Sequence, residues 1–372
     1  MHNAVGLISA NYSTPNLRNL TKYRTIGALP FGGRYSLIDF QLSNMAYAGI
    51  TNVGLFLPFK YRSILSHIKA GKPWSLDRKN SGLFYLPGSV FGVSDFESHI
   101  LMRDIISNKA FIEMAPEPYV IITAVGTIFR FDFEDLMNEH RRSGADVTIM
   151  YKQSLRDCPE SMKFHIKGQR IIGGHRGVKK GDDCCMDCVI MSTDLLLKLC
   201  NWYENMSYMD LIEILLSDIN RISIFGYRFD GWQASISSVQ DYYDESMDLL
   251  HYNPRRELFL SGHPILTRVQ DTPPTRYHSD AKVSNSLIPS GCSVSGTIKN
   301  SILFRNVRVE KGAKVKNSII FQDVVIKQGA TVSNAIIDKN NVIGREVEIK
   351  GKDGKPFILD KKPFDPNRLY RN

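Results

Sequence analysis

Apolar positions in the first two thirds of the chain fall into short β-branched runs separated by stretches with helical spacing. Residues 4–8, 50–57, 119–122, 145–150 and 225–229 predict strands. Between them Leu37, Ile38, Leu42, Met45 and Ala46 share one helical face, and that helix is expected to reach Ala48 and stop at Gly49. Further helices are predicted over 96–108, 132–143, 192–202, 207–219 and 237–250, the last with Ser237 and Ser238 as N-cap candidates. Strand–helix alternation of this kind predicts an α/β domain with a mostly parallel sheet over residues 1–250. The run from Gly173 to Gly181, where glycines surround His175, Arg176, Lys179 and Lys180, reads as a mobile loop able to touch an anion.

A different pattern takes over after a proline-bearing stretch. Pro254, Pro264, Pro273 and Pro274 mark residues 251–280 as a linker. Beyond it, over 281–372, Asn285-Ser286-Leu287-Ile288, Asn300-Ser301-Ile302-Leu303, Asn317-Ser318-Ile319-Ile320 and Asn334-Ala335-Ile336-Ile337 recur at spacings of 15, 17 and 17. Gly291, Gly312 and Gly329 each sit three residues before a valine. A period of about 17–18 residues is three hexapeptides, one inward apolar side chain per short strand, which predicts a parallel β-helix prism of about four coils.

Composition narrows the class. At 372 residues, with 43% hydrophobic and 23% charged, the chain suits two globular domains. No apolar run approaches a membrane span, and Met1 to Ile8 lacks the basic region and long apolar stretch of a leader, so the cytoplasm is the expected compartment. The net charge of +9 favours small anionic ligands or partners, yet it is spread out and no zinc finger, dense basic helix or aromatic RNA-binding motif accompanies it, which argues against nucleic acid. Six cysteines read as reduced thiols. Cys185 and Cys188 form a C-x-x-C beside Cys184, but no second pair follows to complete a zinc site.

The candidate chemistry is defined by what is missing. A nucleotide-binding turn after the first strand needs glycine, so that backbone N–H groups can close around phosphate. Here no glycine lies between Gly6 and Gly27, and Tyr12 and Pro15 predict a fixed turn without ligand. The strand 119–122 runs into Thr123-Ala124-Val125-Gly126-Thr127, with no carboxylate where an open α/β sheet would place metal chemistry. Lys60, Arg62, Lys72 and Arg78 with Trp74 form a basic stretch that could hold a phosphate and stack a base, or equally a solvated loop with the indole packed on the core.

Pro30 to Asn44 (P-F-G-G-R-Y-S-L-I-D-F-Q-L-S-N), Gly71 to Arg78 (G-K-P-W-S-L-D-R) and Met247 to Leu250, followed by the hexapeptide pattern, resemble the bacterial glucose-1-phosphate adenylyltransferase (ADP-glucose pyrophosphorylase) family over essentially the whole chain. The resemblance implies a GT-A/Rossmann-like nucleotidyltransferase domain, a C-terminal left-handed β-helix, tetramers, and the reaction of ATP with glucose 1-phosphate to ADP-glucose and pyrophosphate. It also exposes departures. The family's nucleotide-contacting lysine falls on Ile26, its metal aspartates fall on Gly126 and Ser235, its glycine loop is replaced by residues 9–18, and its Glu-Lys-Pro sugar-phosphate signature is not found between Phe164 and Cys188. Within the family the chain is therefore similar to the non-catalytic, GlgD-type regulatory subunits. These would assemble with a catalytic subunit into a heterotetramer for glycogen synthesis, with Mg²⁺ held only by the partner and no cofactor by this chain. Arg34 falls where the family often has an effector-binding lysine, so Arg34, Lys60, Arg62, Lys72, Trp74 and Arg78 are the effector or anion candidates. A weakly active adenylyltransferase is the alternative. A hexapeptide acyltransferase would need a β-helix histidine, and none lies between Asp280 and Asn372.

Overall fold

The computed structural model describes residues 3–12, 14–58, 60–89, 98–206, 208–352 and 354–361. Nine strands form one sheet: β1 Ala4–Ser9, β2 Asn52–Leu57, β3 Gly82–Pro87, β4 Tyr119–Ala124, β5 Val147–Gln153, β6 Cys158–Lys167, β7 Arg170–Val178, β8 Asp183–Ser192 and β9 Ile224–Arg228. Their spatial order is β3-β2-β1-β4-β8-β5-β9-β7-β6. The strands β3, β2, β1 and β4 are mutually parallel, as are β5 and β9. Strand β8 is antiparallel to both of its neighbours, β4 and β5. The expected mostly parallel sheet is thus mixed, because the chain leaves β5 into a hairpin and returns directly, a route that needs no crossover helix. Strand β1 is buried along its whole length and β4 from Val120 onward, as central strands covered on both faces must be.

The helices are α1 Leu37–Tyr47, α2 Arg62–Ile68, α3 Met102–Ser107, α4 Lys109–Glu113, α5 Phe133–Ser143, α6 Thr193–Trp202, α7 Leu211–Ser217 and α8 Val239–Asp248. Helix α1 ends at Gly49, whose φ of 69° only glycine adopts freely. The Ser192 hydroxyl accepts from the Leu195 N–H, and Ser238 and Asp241 satisfy each other's backbone donors at the start of α8. Helix α3 starts at Met102 rather than in the nineties, and Phe96 and Glu97 of the expected helix lie outside the described residues. Asp210 caps α7, its carboxylate accepting from the Ile212 N–H, and Ser207, where that helix was expected to begin, is likewise outside.

The Gly173 to Gly181 run is corrected by the structure. Through Val178 it is strand β7, paired with β6 in a twisted edge hairpin. A Cβ at Gly174 would meet the Lys163 carbonyl, so glycine there permits close strand approach, and only the residues after Val178 make the turn. Two short strands, Thr127–Phe129 and Gln233–Ser235, pair antiparallel beyond β4.

The proline-bearing stretch is packed rather than free. It holds helical turns over Tyr252–Arg255 and Arg256–Leu260, and Phe259 stacks on Tyr35 with ring centroids 5.1 Å apart. Leu258 and Ile265 are buried, and the Leu266 N–H donates to the Ser43 hydroxyl at 2.9 Å.

Beyond it stand the stacked coils of parallel sheets that the repeat predicts, consistent with a left-handed β-helix. Each asparagine of the repeat sits at a corner with positive φ (41–47° at Asn285, Asn300, Asn317 and Asn334), and their amides form a ladder with steps of 3.0, 3.4 and 3.1 Å. After the corner, Ser301, Ser318 and Ala335 turn inward as small buried residues. The two apolar residues that follow divide their duties. Leu303, Ile320 and Ile337 fill the prism, while Ile302, Ile319 and Ile336 join the core of the α/β body. The prism therefore docks by its flank. Tyr243 donates to the Asn317 carbonyl at 2.6 Å, Tyr242 packs edge-on against Phe321, and Arg24 pairs with Asp338.

Candidate functional site

Strands β1 and β4 are parallel neighbours with Ser9 opposite Ala124, so the chain leaves both at the same edge of the sheet. The Val125 N–H donates to the Ser9 carbonyl at 3.0 Å, carrying that pairing one residue further. From there the segment Thr127–Phe129 meets Gln233–Ser235, placing Ser235 opposite Thr127, and the Ile236 N–H donates to the Gly126 carbonyl at 2.9 Å. Ile26 closes the third side, its Cδ1 lying 3.5 Å from where a Cβ at 126 would be. Gly126, Ser235 and Ile26, which are remote in sequence, thus share one crevice at the carboxyl ends of the strands, where ligands bind in open α/β sheets.

That crevice is filled by the chain itself. A Cβ built on Gly126 would overlap the hydroxyl oxygen of Tyr12. Burial pushes the Tyr12 phenol well above its ordinary value, and the nearby Asp187 carboxylate adds to the effect. The next residue back, Asn11, donates to Asp104 at 2.7 Å, and its amide takes the space a side chain at Gly88 would need. In place of a glycine loop, Pro15–Thr21 is a 3-10 helix with Leu17 and Leu20 in the core.

A fixed cation sits on the other side. Arg156 donates through Nη2 to the Ser235 carbonyl at 2.9 Å, and it contacts Glu245 at 2.8 Å and Asp241 at 3.4 Å. Burial pushes the Glu245 carboxyl up to about 7, more than the guanidinium pulls it down. Lys152 donates to the Gly231 carbonyl, and the Trp232 indole donates to Asp248 at 2.9 Å across the same cleft. A divalent ion needs anionic oxygens here. Position 126 has no side chain, position 235 offers a hydroxyl, and a guanidinium already occupies the electrostatic role of a cation. The residues present do not fit a metal, and among the described residues no group of three or more His, Cys, Asp or Glu side chains could hold one.

Comparison with known proteins agrees with this architecture. Residues 13–159 match the nucleotidyl transferase family, and residues 273–364 match the family described as GlmU-like, C-terminal hexapeptide. The chain is 35% identical, over 96% of its length and 95% of the relative's, to the glycogen biosynthesis protein GlgD of Bacillus subtilis (strain 168). The chain belongs to the GlgD-type proteins of the glucose-1-phosphate adenylyltransferase family. It is also 35% identical to the GlgD of Geobacillus stearothermophilus and 31% identical to that organism's glucose-1-phosphate adenylyltransferase, each over 84% of this chain and 82% of the relative.

In this GlgD-type chain the basic candidates are scattered. Lys60 and Arg62 are exposed at the start of α2, Lys60 donating to the Thr21 carbonyl at 3.3 Å. Lys72 and Arg78 are exposed around the following turn, and Arg78 donates to the Ser75 carbonyl at 2.8 Å. Trp74 is 1% exposed and donates its indole N–H to Ser43, so its ring is packed in the core and has no open face for a base. Arg34 lies apart, on the turn between Pro30–Phe31 and Tyr35–Ser36, which leans on the β-helix where Gly33 approaches the Leu303 carbonyl. There the structure adds residues that sequence reasoning missed. Arg305 is 8% exposed, and its Nε has no partner among the described residues. Burial first, then the charges of Arg34 and Arg268, lowers its pKa. The 17-residue register was the available signal: it pairs Phe304 with Phe321 on the docking flank, their ring centroids 5.2 Å apart, and Arg305 is the next residue.

Proposed function

We propose that this chain is a non-catalytic, modulatory subunit that assembles in the cytoplasm with a catalytic glucose-1-phosphate adenylyltransferase in glycogen biosynthesis. The observations that carry the reading are the Arg156 guanidinium bound to the Ser235 carbonyl and the Tyr12 hydroxyl filling the space a side chain at 126 would need. A pocket so arranged has no side-chain carboxylate at 126 or 235 for the divalent ion that adenylyl transfer needs. Losing metal-centred charge stabilisation costs several kcal/mol of barrier, on the order of 10³-fold in rate or more. Mg²⁺ chemistry would then belong to the partner, and this chain would act by favouring the partner's active conformation through subunit contacts.

The seam between body and β-helix beside Arg305 is where an effector would be read. Buried Arg305 there feels the charges of Arg34 and Arg268, opposed by that of Asp39, and such a neighbourhood would suit a sugar phosphate or nucleotide anion. Co-expression with a catalytic subunit, followed by sedimentation and maximal velocity with and without this chain, tests the assembly. A single co-sedimenting species with raised velocity or altered effector response is expected. If the two chains sediment separately, or if this chain alone turns over ATP and glucose 1-phosphate within tenfold of the catalytic subunit, the reading fails and the weak-enzyme alternative replaces it.

A further inference from the structure

The disagreement between this crevice and a metal-nucleotide ligand goes further than missing carboxylates. Three residues of the segment Ser9 to Tyr12 are held by hydrogen bonds. The Ala10 N–H donates to the Phe56 carbonyl at 3.3 Å, the Ser9 carbonyl accepts from Val125 at 3.0 Å, and Asn11 donates to buried Asp104 at 2.7 Å. Asp104 also accepts from the Ser89 N–H at 2.8 Å, so one carboxylate fastens two loops together. At the end of the segment the Tyr12 ring lies 4.8 Å from the ring of His99, and His99 is held in turn by Asp187 at 2.7 Å. The phenol oxygen fills the only space available to a side chain at 126. Gly126 itself does not need glycine for conformational reasons, since its φ is not positive.

We infer that Tyr12 is a built-in plug: the strap Ser9–Tyr12 acts as an internal stand-in for ligand, holding the crevice in one closed conformation whatever nucleotide is present. The inference rests on the non-catalytic reading but is separable from it, because the plug can be tested on this chain without its partner. Its physical content is a mutual exclusion. Tyr12 with its hydroxyl requires glycine at 126, and any larger residue at 126 requires the hydroxyl to go.

The test is a size exchange read by thermal melting and by hydrogen exchange of peptides covering 9–12 and 124–127. Gly126→Ala should lower the melting temperature by about 3 °C or more, because overpacking a filled site is costly. Tyr12→Phe removes the oxygen that clashes, so Tyr12→Phe/Gly126→Ala should recover most of that loss. The remaining neighbours of a Cβ at 126, the Ile236 carbonyl and Ile26 Cδ1, stand at 3.5 Å and offer no resistance. Tyr12→Ala should raise exchange in those two peptides at least tenfold while leaving the β-helix peptides unchanged. The inference is overturned if Gly126→Ala melts with wild type, if the double variant is no better than Gly126→Ala or both are insoluble, or if Tyr12→Ala leaves local exchange as it was.

Discussion

Arg24 and Asp338, 314 residues apart, form a two-point ion pair across the junction between the α/β body and the β-helix. The guanidinium reaches the two carboxylate oxygens at 2.6 and 2.9 Å, and both side chains are at least 95% buried. Arg24 also lies over the Phe321 ring, 5.6 Å from its centroid. Removing one charge strands the other in a dry interface, at a cost of roughly 3–5 kcal/mol. Asp338→Asn should therefore split a single urea transition into two, with the body melting first. A variant that still unfolds in one step at the wild-type midpoint would show the junction held by apolar contact alone.

The asparagine ladder makes a graded prediction. Asn317 has φ of 46°, a left-handed conformation that costs an ordinary residue about 1–2 kcal/mol. Its amide also donates to Asn334 at 3.1 Å and accepts from Asn300 at 3.4 Å. Asn317→Ala loses both backbone fit and ladder, roughly 2–3 kcal/mol in all. Asn317→Gly keeps the backbone and should cost about 1 kcal/mol less. Chemical denaturation of the two variants decides it, and equal midpoints would discard the backbone explanation.

Glu245 sets a pH dependence. Its carboxyl is raised from the usual carboxylate range to about 7 in the folded protein, chiefly by burial. The folded state then binds a proton that the unfolded state releases near pH 4.5. Stability contributed by this group is complete below about pH 4.5 and falls as pH rises to about 7, with a slope of at most about 1.4 kcal/mol per pH unit. Glu245→Gln should flatten that part of the profile. Urea midpoints at pH 5, 6 and 7 would show it, and an unchanged slope in the variant would assign the dependence elsewhere.

Thiol chemistry gives a further check. All six cysteines are free, and only Cys158 is partly exposed. Burial pushes the Cys184 thiol up to about 12 and the Cys188 thiol higher still, and thiolate is the reactive form. A chromogenic disulfide reagent at pH 7.5 should titrate one thiol in the native protein and six in denaturant. Rapid native labelling of two or more would contradict the packing around β8.

The β-helix was legible because its signal repeats: four copies of a corner asparagine leave little ambiguity. So was the central strand pair β1 and β4, whose apolar runs are too short for helices. The sheet's far edge was not. The sequence of β7 carries glycines, His175 and Arg176 because the strand lies at an exposed hairpin, and half-solvated residues leave no apolar alternation to read. Helix α2 was hidden for a related reason, since only Ile64 and Ile68 are buried and its other positions look like a basic loop. At the crevice, the absence of charge at Gly126 and Ser235 could be read along the chain. The replacement could not, because Arg156 and Tyr12 reach it from segments with no motif of their own, and only tertiary geometry puts a phenol against Gly126.

Flank-on docking frees the height of the prism from the rest of the molecule. The body grips the coils through Ile302, Ile319, Ile336 and the phenylalanines beside them, and Leu287 of the first coil and Ile358 of the last pack against the same core. Whole coils could be added at an end without touching the flank contacts already made. The distance at which a neighbouring subunit is met, and the angle at which it arrives, can therefore drift in evolution or be set by design as an independent variable.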